Sequence, residues 1–301
     1  TLADVTGVTV DIAGNSTYMG SLSGGVNTTL NVGSSSAGIG TNNASTTFAG
    51  QITGSGYLAK YGTGTLTLPG NSSGLSGVDI AAGRLILTNT SVVGNSSTAI
   101  NLSSATSLLE LQNVTTLSNP LTLSNAGTVL ISSGNTTLTG NLSLSGTADK
   151  VMNVSAFSSL NLSGNITSGN NQLIKKGLGT LAFQAPPTGG SQSMISGKGL
   201  NVTEGTLIMN TTTSLIGSAT TSYVSPGATL EIQKSAQSTA GFYSGAPIVN
   251  NGTILVNENN ASYSNLFVNI SGTGSVEFIG SATVNFMSGG SYTGGTTIRA
   301  G

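Results

Sequence analysis

A short unit, Gly-x-Φ-x-Φ with Φ an aliphatic or aromatic residue, recurs through the 301-residue chain and constrains its fold more than any other feature. It stands at Gly64-Thr-Leu66-Thr-Leu68, Gly83-Arg-Leu85-Ile-Leu87, Gly127-Thr-Val129-Leu-Ile131 and Gly140-Asn-Leu142-Ser-Leu144. It returns at Gly179, Gly205, Gly252 and Gly274, with a near-copy after Gly227. Alternation of apolar and small polar residues is the period of a strand with one buried face. No window carries the i, i+3, i+4, i+7 stripe of a helix, and helix-forming Lys, Glu, Arg and Gln are few. Many intervals between units fall near 20–25 residues, the range of solenoid repeats. A strand of three to five residues cannot bury its inward side chains alone. Stacked in parallel at ~4.8 Å on its neighbours, it forms one layer of a continuous core.

The chain therefore reads as all-β, a single-stranded parallel β-helix of roughly 13 coils with almost no helix, one continuous solenoid over residues 1–301. Three stretches lack alternation and read as loop insertions: 33–47, 184–193 with its Pro186-Pro187, and 233–247 with Phe242-Tyr243. A sandwich or meander would instead show turn signals every 8–12 residues and two-residue hairpin loops, and Asn-Gly pairs such as Asn251-Gly252 are rare here.

Composition separates this from disorder and narrows the chemistry. Charged residues are 6% of the chain, the net charge is −1, and Gly, Ser, Thr and Asn make up roughly half of it, far above ordinary usage. Hydrophobic residues at 37% suffice for a core. With no Cys and no His there is no Ser-His-Asp triad, no Cys-His pair and no zinc site of the usual ligands, so no catalytic, cofactor or metal site is assigned. The charge balance gives no footprint for nucleic acid. No apolar run approaches the ~20 residues of a membrane span.

The motifs that invite a functional reading have plainer ones. Gly62-Thr-Gly64 and Gly177-Leu-Gly179 lack the third glycine of a dinucleotide fingerprint, and no helix follows to receive a phosphate. Lys60 and Lys175 precede those glycines, where a phosphate-loop lysine follows them, so they read as solvated or corner-packing lysines. Glu110, Glu231 and Glu277 each sit between two apolar residues and read as outward strand residues. Glu258 is spaced near one coil from Glu277 and, more loosely, from Glu231, which leaves a glycosidase-like carboxylate pair open beside a solvated face. The calcium nonapeptide Gly-Gly-x-Gly-x-Asp is absent. Triplets such as Asn15-Ser-Thr17 follow from composition. The aromatics Phe242 and Tyr243, flanked by small residues, are the candidate ligand-binding positions, for sugar or protein.

One block carries a resemblance. Gly56-Tyr-Leu58-Ala-Lys60-Tyr-Gly62-Thr-Gly64-Thr65-Leu66-Thr-Leu68-Pro-Gly70-Asn71, continued by Ile80-Ala-Ala-Gly83-Arg-Leu85, resembles the passenger-associated transport repeat of autotransporters. A second copy runs Leu173-Ile-Lys175-Lys-Gly177-Leu-Gly179-Thr180-Leu181, departs from the pattern at Pro186-Pro187, and closes at Gly205-Thr-Leu207. A third ends in Tyr292-Thr-Gly294-Gly295-Thr-Thr-Ile298-Arg-Ala300-Gly301, inside the repeat. The copies cover about a third of the chain. The resemblance implies a right-handed β-helix exported across the outer membrane of a Gram-negative bacterium, and a C-terminal β-barrel, absent from this chain, as its membrane link. It implies a surface-exposed or secreted adhesin whose partners are proteins or glycans on host or neighbouring cells, with self-association possible. The stalk of a secreted cytotoxin, or a spacer and export-folding segment without its own ligand, are the alternatives.

Overall fold

The computed structural model describes residues 7–12, 14–88, 93–125, 129–184, 198–211, 220–234, 242–244, 246–258, 263–281, 283–287 and 289–300. Among these the fold is all-β and without helix: short strands stack in parallel as a β-solenoid of about 11 turns. That is near the roughly 13 coils expected. Coil length varies: register partners are 19 residues apart from Leu66 to Leu85 but 27 from Leu173 to Leu200. The chain divides into two compact units, Thr1–Ser143 and Leu144–Gly301.

In the N-terminal unit one column of strands runs Thr17–Met19, Ser36–Ile39, Tyr57–Lys60, Gly77–Ile80, Ala99–Leu102, Leu121–Leu123. A second runs Thr46–Thr47, Thr65–Leu68, Gly83–Thr88, Ser107–Gln112, Val129–Ser133. In the C-terminal unit the longest column is Ser159–Leu162, Thr180–Phe183, Thr206–Thr211, Thr229–Lys234, Thr253–Asn257, Ser275–Gly280, Thr296–Ala300. Every pairing in these columns is parallel, and the inward rows stack apolar side chains on apolar ones. Leu160, Leu181, Leu207, Leu230, Ile254 and Val276 form one row, and Leu162, Phe183, Met209, Ile232 and Val256 the next. All are buried. These rows are the core, each large side chain contributing about 1.5–3 kcal/mol by leaving water.

Glycine and asparagine make the corners. Gly62 and Gly177 have φ of 67° and 76°, and a Cβ at either would strike the carbonyl of Gly40 or of Val154 one coil away. Asn43 takes φ 63°, and its Oδ1 accepts the Thr63 amide at 2.9 Å on the next coil. The Asn251 carboxamide does the same for Thr273 at 3.1 Å. This is the left-handed tolerance and side-chain capping that favour Asn at turns.

The expected insertion at 33–47 is corrected. It contains the strands Ser36–Ile39 and Thr46–Thr47, and the former pairs with Thr17–Met19 on one side and Tyr57–Lys60 on the other. Its inward residues are Ala37 and Ile39, both buried, and its outward ones are Ser36 and Gly38, so the alternation is present but too faint in hydropathy to stand out. Of 184–193, only Gln184 lies within the described residues. In 233–247, Gln233 and Lys234 end a strand, and Phe242–Tyr243 is itself a strand paired with Tyr263–Phe267, against the expected loop.

Candidate functional site

The side chains of Phe242 and Tyr243, the expected ligand-binding positions, lie outside the described residues. Among the described residues the fold assembles aromatic surfaces elsewhere: Phe278 and Phe286 meet with ring centroids 6.4 Å apart in the C-terminal unit, and a tyrosine strip lies on the outward face of the first column of the N-terminal unit. The row there is Tyr18, Gly38, Ala59, Asp79, Asn101, Thr122. Tyr18 and Tyr61 lean toward each other over Gly38, ring centroids 5.6 Å apart and planes at 54°. A Cβ at Gly38 would stand 2.5 Å from Cδ1 of Tyr18 and 3.0 Å from Cε2 of Tyr61, so only glycine admits both rings. Tyr57 lies likewise over Gly77. Tyr18 is 70% exposed. Ser16, Thr17, Ser36 and Ala59 complete the lining of a shallow notch between the two rings.

The electrostatics of this strip are mild. Burial first, and then a hydrogen bond with the Tyr18 side chain, pushes the Tyr61 hydroxyl above its ordinary pKa. Burial, seconded by the Asp79 carboxylate, does the same for Tyr57 against the hydrogen bond from Asn101. Both phenols therefore stay protonated at neutral pH. The nearby cation, Lys60, is buried and turned away. Its Nζ donates to the carbonyls of Tyr61 (2.5 Å), Gly62 (2.9 Å) and Ala82 (3.4 Å).

Lys175 repeats that corner in the C-terminal unit, donating to the carbonyls of Lys176 (2.9 Å), Gly177 (2.6 Å) and Glu204 (3.0 Å). Of the two readings open to these lysines, corner packing is the one the structure adopts. Each ammonium fills the bend between the glycines and ties it to the next coil. Burial lowers the pKa of Lys60, and pushes that of Lys175 down to about 8 with the Glu204 charge opposing.

The carboxylates do not converge on a catalytic pair. Glu231 registers with Ile208 and Leu255, and Glu277 with Leu255 and Thr297, so Leu255 separates them at about 9.6 Å of coil spacing. Glu231 accepts hydrogen bonds from Nε2 of Gln233 (2.6 Å) and Nδ2 of Asn257 (2.8 Å), and Glu277 pairs with Arg299 at 3.1 Å. Glu258, spaced for pairing with either, is instead buried, its amide bonded to the Ile279 carbonyl. Glu110 points outward as read but is buried rather than solvated, covered by an ion pair with Arg84 and a 2.6 Å hydrogen bond from Gln112. Among the described residues no group of three or more His, Cys, Asp or Glu is arranged to hold a metal ion.

The C-terminal unit exposes a different apolar feature. Phe157 stands fully in solvent at a corner with φ 60°, a conformation bulky residues rarely adopt. Leu178, at the matching corner one coil on, is 72% exposed. Sequence reasoning passed over Tyr18 and Phe157, which sit in no motif, and over Tyr57 and Tyr61, which lie inside the repeat block at positions its pattern does not single out. The one available signal was the Tyr57-x3-Tyr61 spacing, and it means nothing until the coils bring Tyr18 and Gly38 alongside. No protein-family model matches this chain, and neither a curated protein nor a solved structure is found similar to it.

Proposed function

We propose that this chain is a contact protein of the adhesin kind, surface-exposed or secreted, working as an autotransporter passenger whose partners are glycans or proteins of other cells. The observation that carries the reading is the Tyr18–Tyr61 pair, two rings held on the outward face of a parallel solenoid over a glycine that clears room for them. Rigid aromatics with an apolar body and a polar tip give large contact area at small entropic cost, which is why they anchor interfaces. Weak contacts of this kind, repeated over many displayed copies, add by multivalency. The low charge supports the same reading, since it leaves little long-range repulsion between this surface and another.

The test is display of the chain on a non-adherent bacterial strain. Faster cell settling or attachment to host cells is expected, with loss of that gain in Tyr18→Ala. Unchanged settling and attachment would refute the proposal. The exposed Phe157 and Leu178 favour one second reading, the stalk of a secreted cytotoxin, in which apolar corners meet a membrane or another stalk. Leakage of dye-loaded lipid vesicles by the purified chain, lost in Phe157→Ser, would support that reading instead.

A further inference from the structure

We infer that the Tyr18–Tyr61 notch binds a neutral glycan, stacking the C–H face of a pyranose ring on the tyrosines and hydrogen-bonding its hydroxyls along the rim. The inference rests on the reading of the chain as a contact protein and names the class of ligand. Its first support is geometry. Tyr18 offers an exposed ring face, Tyr61 tilts against it at 54°, and Gly38 beneath lets both rings settle on the sheet. The negative face of an aromatic ring attracts the partly positive C–H groups of a sugar, while a flat pyranose needs only an open face and not an enclosed cavity.

The second support is the rim. Ser16 and Ser36 set hydroxyls beside the notch, and Asp79 and Asn101 continue the same outward row past Ala59. Tyr57, in the adjacent outward row, lies over Gly77 with Asn101 at its hydroxyl and adds a further ring beside the notch. The strip thus sets ring faces beside hydroxyl and amide groups and one carboxylate, Asp79, the pairing that a chain of sugars presents in return.

The third support is charge. Asp79 is the one ionisable carboxylate of the row, and the Lys60 ammonium is buried on the inward side of its strand, held by three carbonyls. A sialylated or sulphated sugar would meet a like charge and no cation. A quaternary ammonium is the other chemistry that tyrosines recognise, but it needs rings parted around it. Here the centroids are 5.6 Å apart and the rings meet each other, leaving no box to fill.

The experiment uses the full chain on a panel of immobilised neutral oligosaccharides, their sialylated and sulphated counterparts, and immobilised choline. The expected result is binding to neutral members, level between pH 6 and 9, the Tyr61 and Tyr57 hydroxyls being held above their ordinary pKa. Tyr18→Ala and Tyr61→Ala should each weaken it about tenfold, Tyr18→Phe should keep most of it, and Glu231→Gln in the other unit should leave it unchanged. Gly38→Val keeps both tyrosines but drives them off the floor, and should weaken binding as much as losing a ring. Unfolding midpoints identical to wild type for Tyr18→Ala show that the loss is not of the fold, since that side chain is mostly in solvent. Preference for sialylated or sulphated members, binding to choline alone, or no binding to any sugar would overturn the inference. If displayed chain still attaches cells while the panel stays blank, the glycan assignment falls and the contact reading stands. If the panel binds and display confers no attachment, the site stands and the contact reading falls.

Discussion

In the N-terminal unit Lys60 turns its ammonium back onto the carbonyls of Tyr61, Gly62 and Ala82; in the C-terminal unit Lys175 does so with Lys176, Gly177 and Glu204. The bend, the glycines and the third acceptor on the next coil correspond. The outward faces do not. Tyr18 and Tyr61 of the first unit rest on Gly38 and hydrogen-bond each other, whereas Phe157 of the second stands unsupported at a strained backbone position. The outward row around Glu231 carries Gln233 and Asn257 where the first unit carries rings. The repeat thus governs the bends, where a lost donor strands carbonyls. It leaves the outer face free, and that is where the two units differ.

The largest effect expected bears on the shared corner. Lys60→Met and Lys175→Met each leave three carbonyls without their donor, and should each cost about 3 kcal/mol in urea unfolding. A loss confined to one of them would break the equivalence of the corners. The pH dependence sharpens it. Above about 8 the folded chain sheds the Lys175 proton, while the unfolded chain holds it up to the ordinary value near 10.5. The unfolded state then binds more protons, so stability rises with pH through that window, and the increment falls away as pH drops through 8. Melting measured from pH 7 to 9.5 should show this rise in wild type and a smaller one in Lys175→Met.

Next in size is Gly38→Val, where the added side chain must push both tyrosines aside, at about 1–3 kcal/mol by chemical unfolding. Phe157→Gly should act in the opposite sense. Relief of the left-handed backbone stabilises by about 1 kcal/mol, read as a raised unfolding midpoint, while any attachment that uses this corner declines. Destabilisation by that change would mean that Phe157 is held by more than its exposure suggests. Smallest is Glu231→Gln, within about 0.5 kcal/mol in the same assay, because an amide can accept in place of the carboxylate and the group is half-exposed.

Much of the architecture was legible in the residues. Leu66, Leu85 and Leu109 fall in one buried row because the same Φ-x-Φ alternation recurs on each coil, with Ser107 standing in register with Gly83. The segment 33–47 was misread because its outward residues are Ser36 and Gly38, so the contrast that marks a strand is weak although Ala37 and Ile39 are fully buried. The carboxylates show the limit of spacing. Glu258 lies near one coil from Glu277 in number, yet it falls beyond the strand's outward row and turns inward, because coil lengths vary by several residues. Lys150, Lys175 and Lys60 are buried as completely as any leucine, which composition does not suggest for lysine.

By itself the sequence determined the class of fold and the composition of its layers: a period of two, interrupted by glycine, can bury its apolar side only by stacking on copies of itself. The tertiary structure decided which residues from different coils become neighbours. Tyr18, Gly38 and Tyr61 are some twenty residues apart along the chain and one coil apart in space. A parallel solenoid turns such a separation into one strand spacing, so a surface of this kind comes into existence only when the coils have found their register.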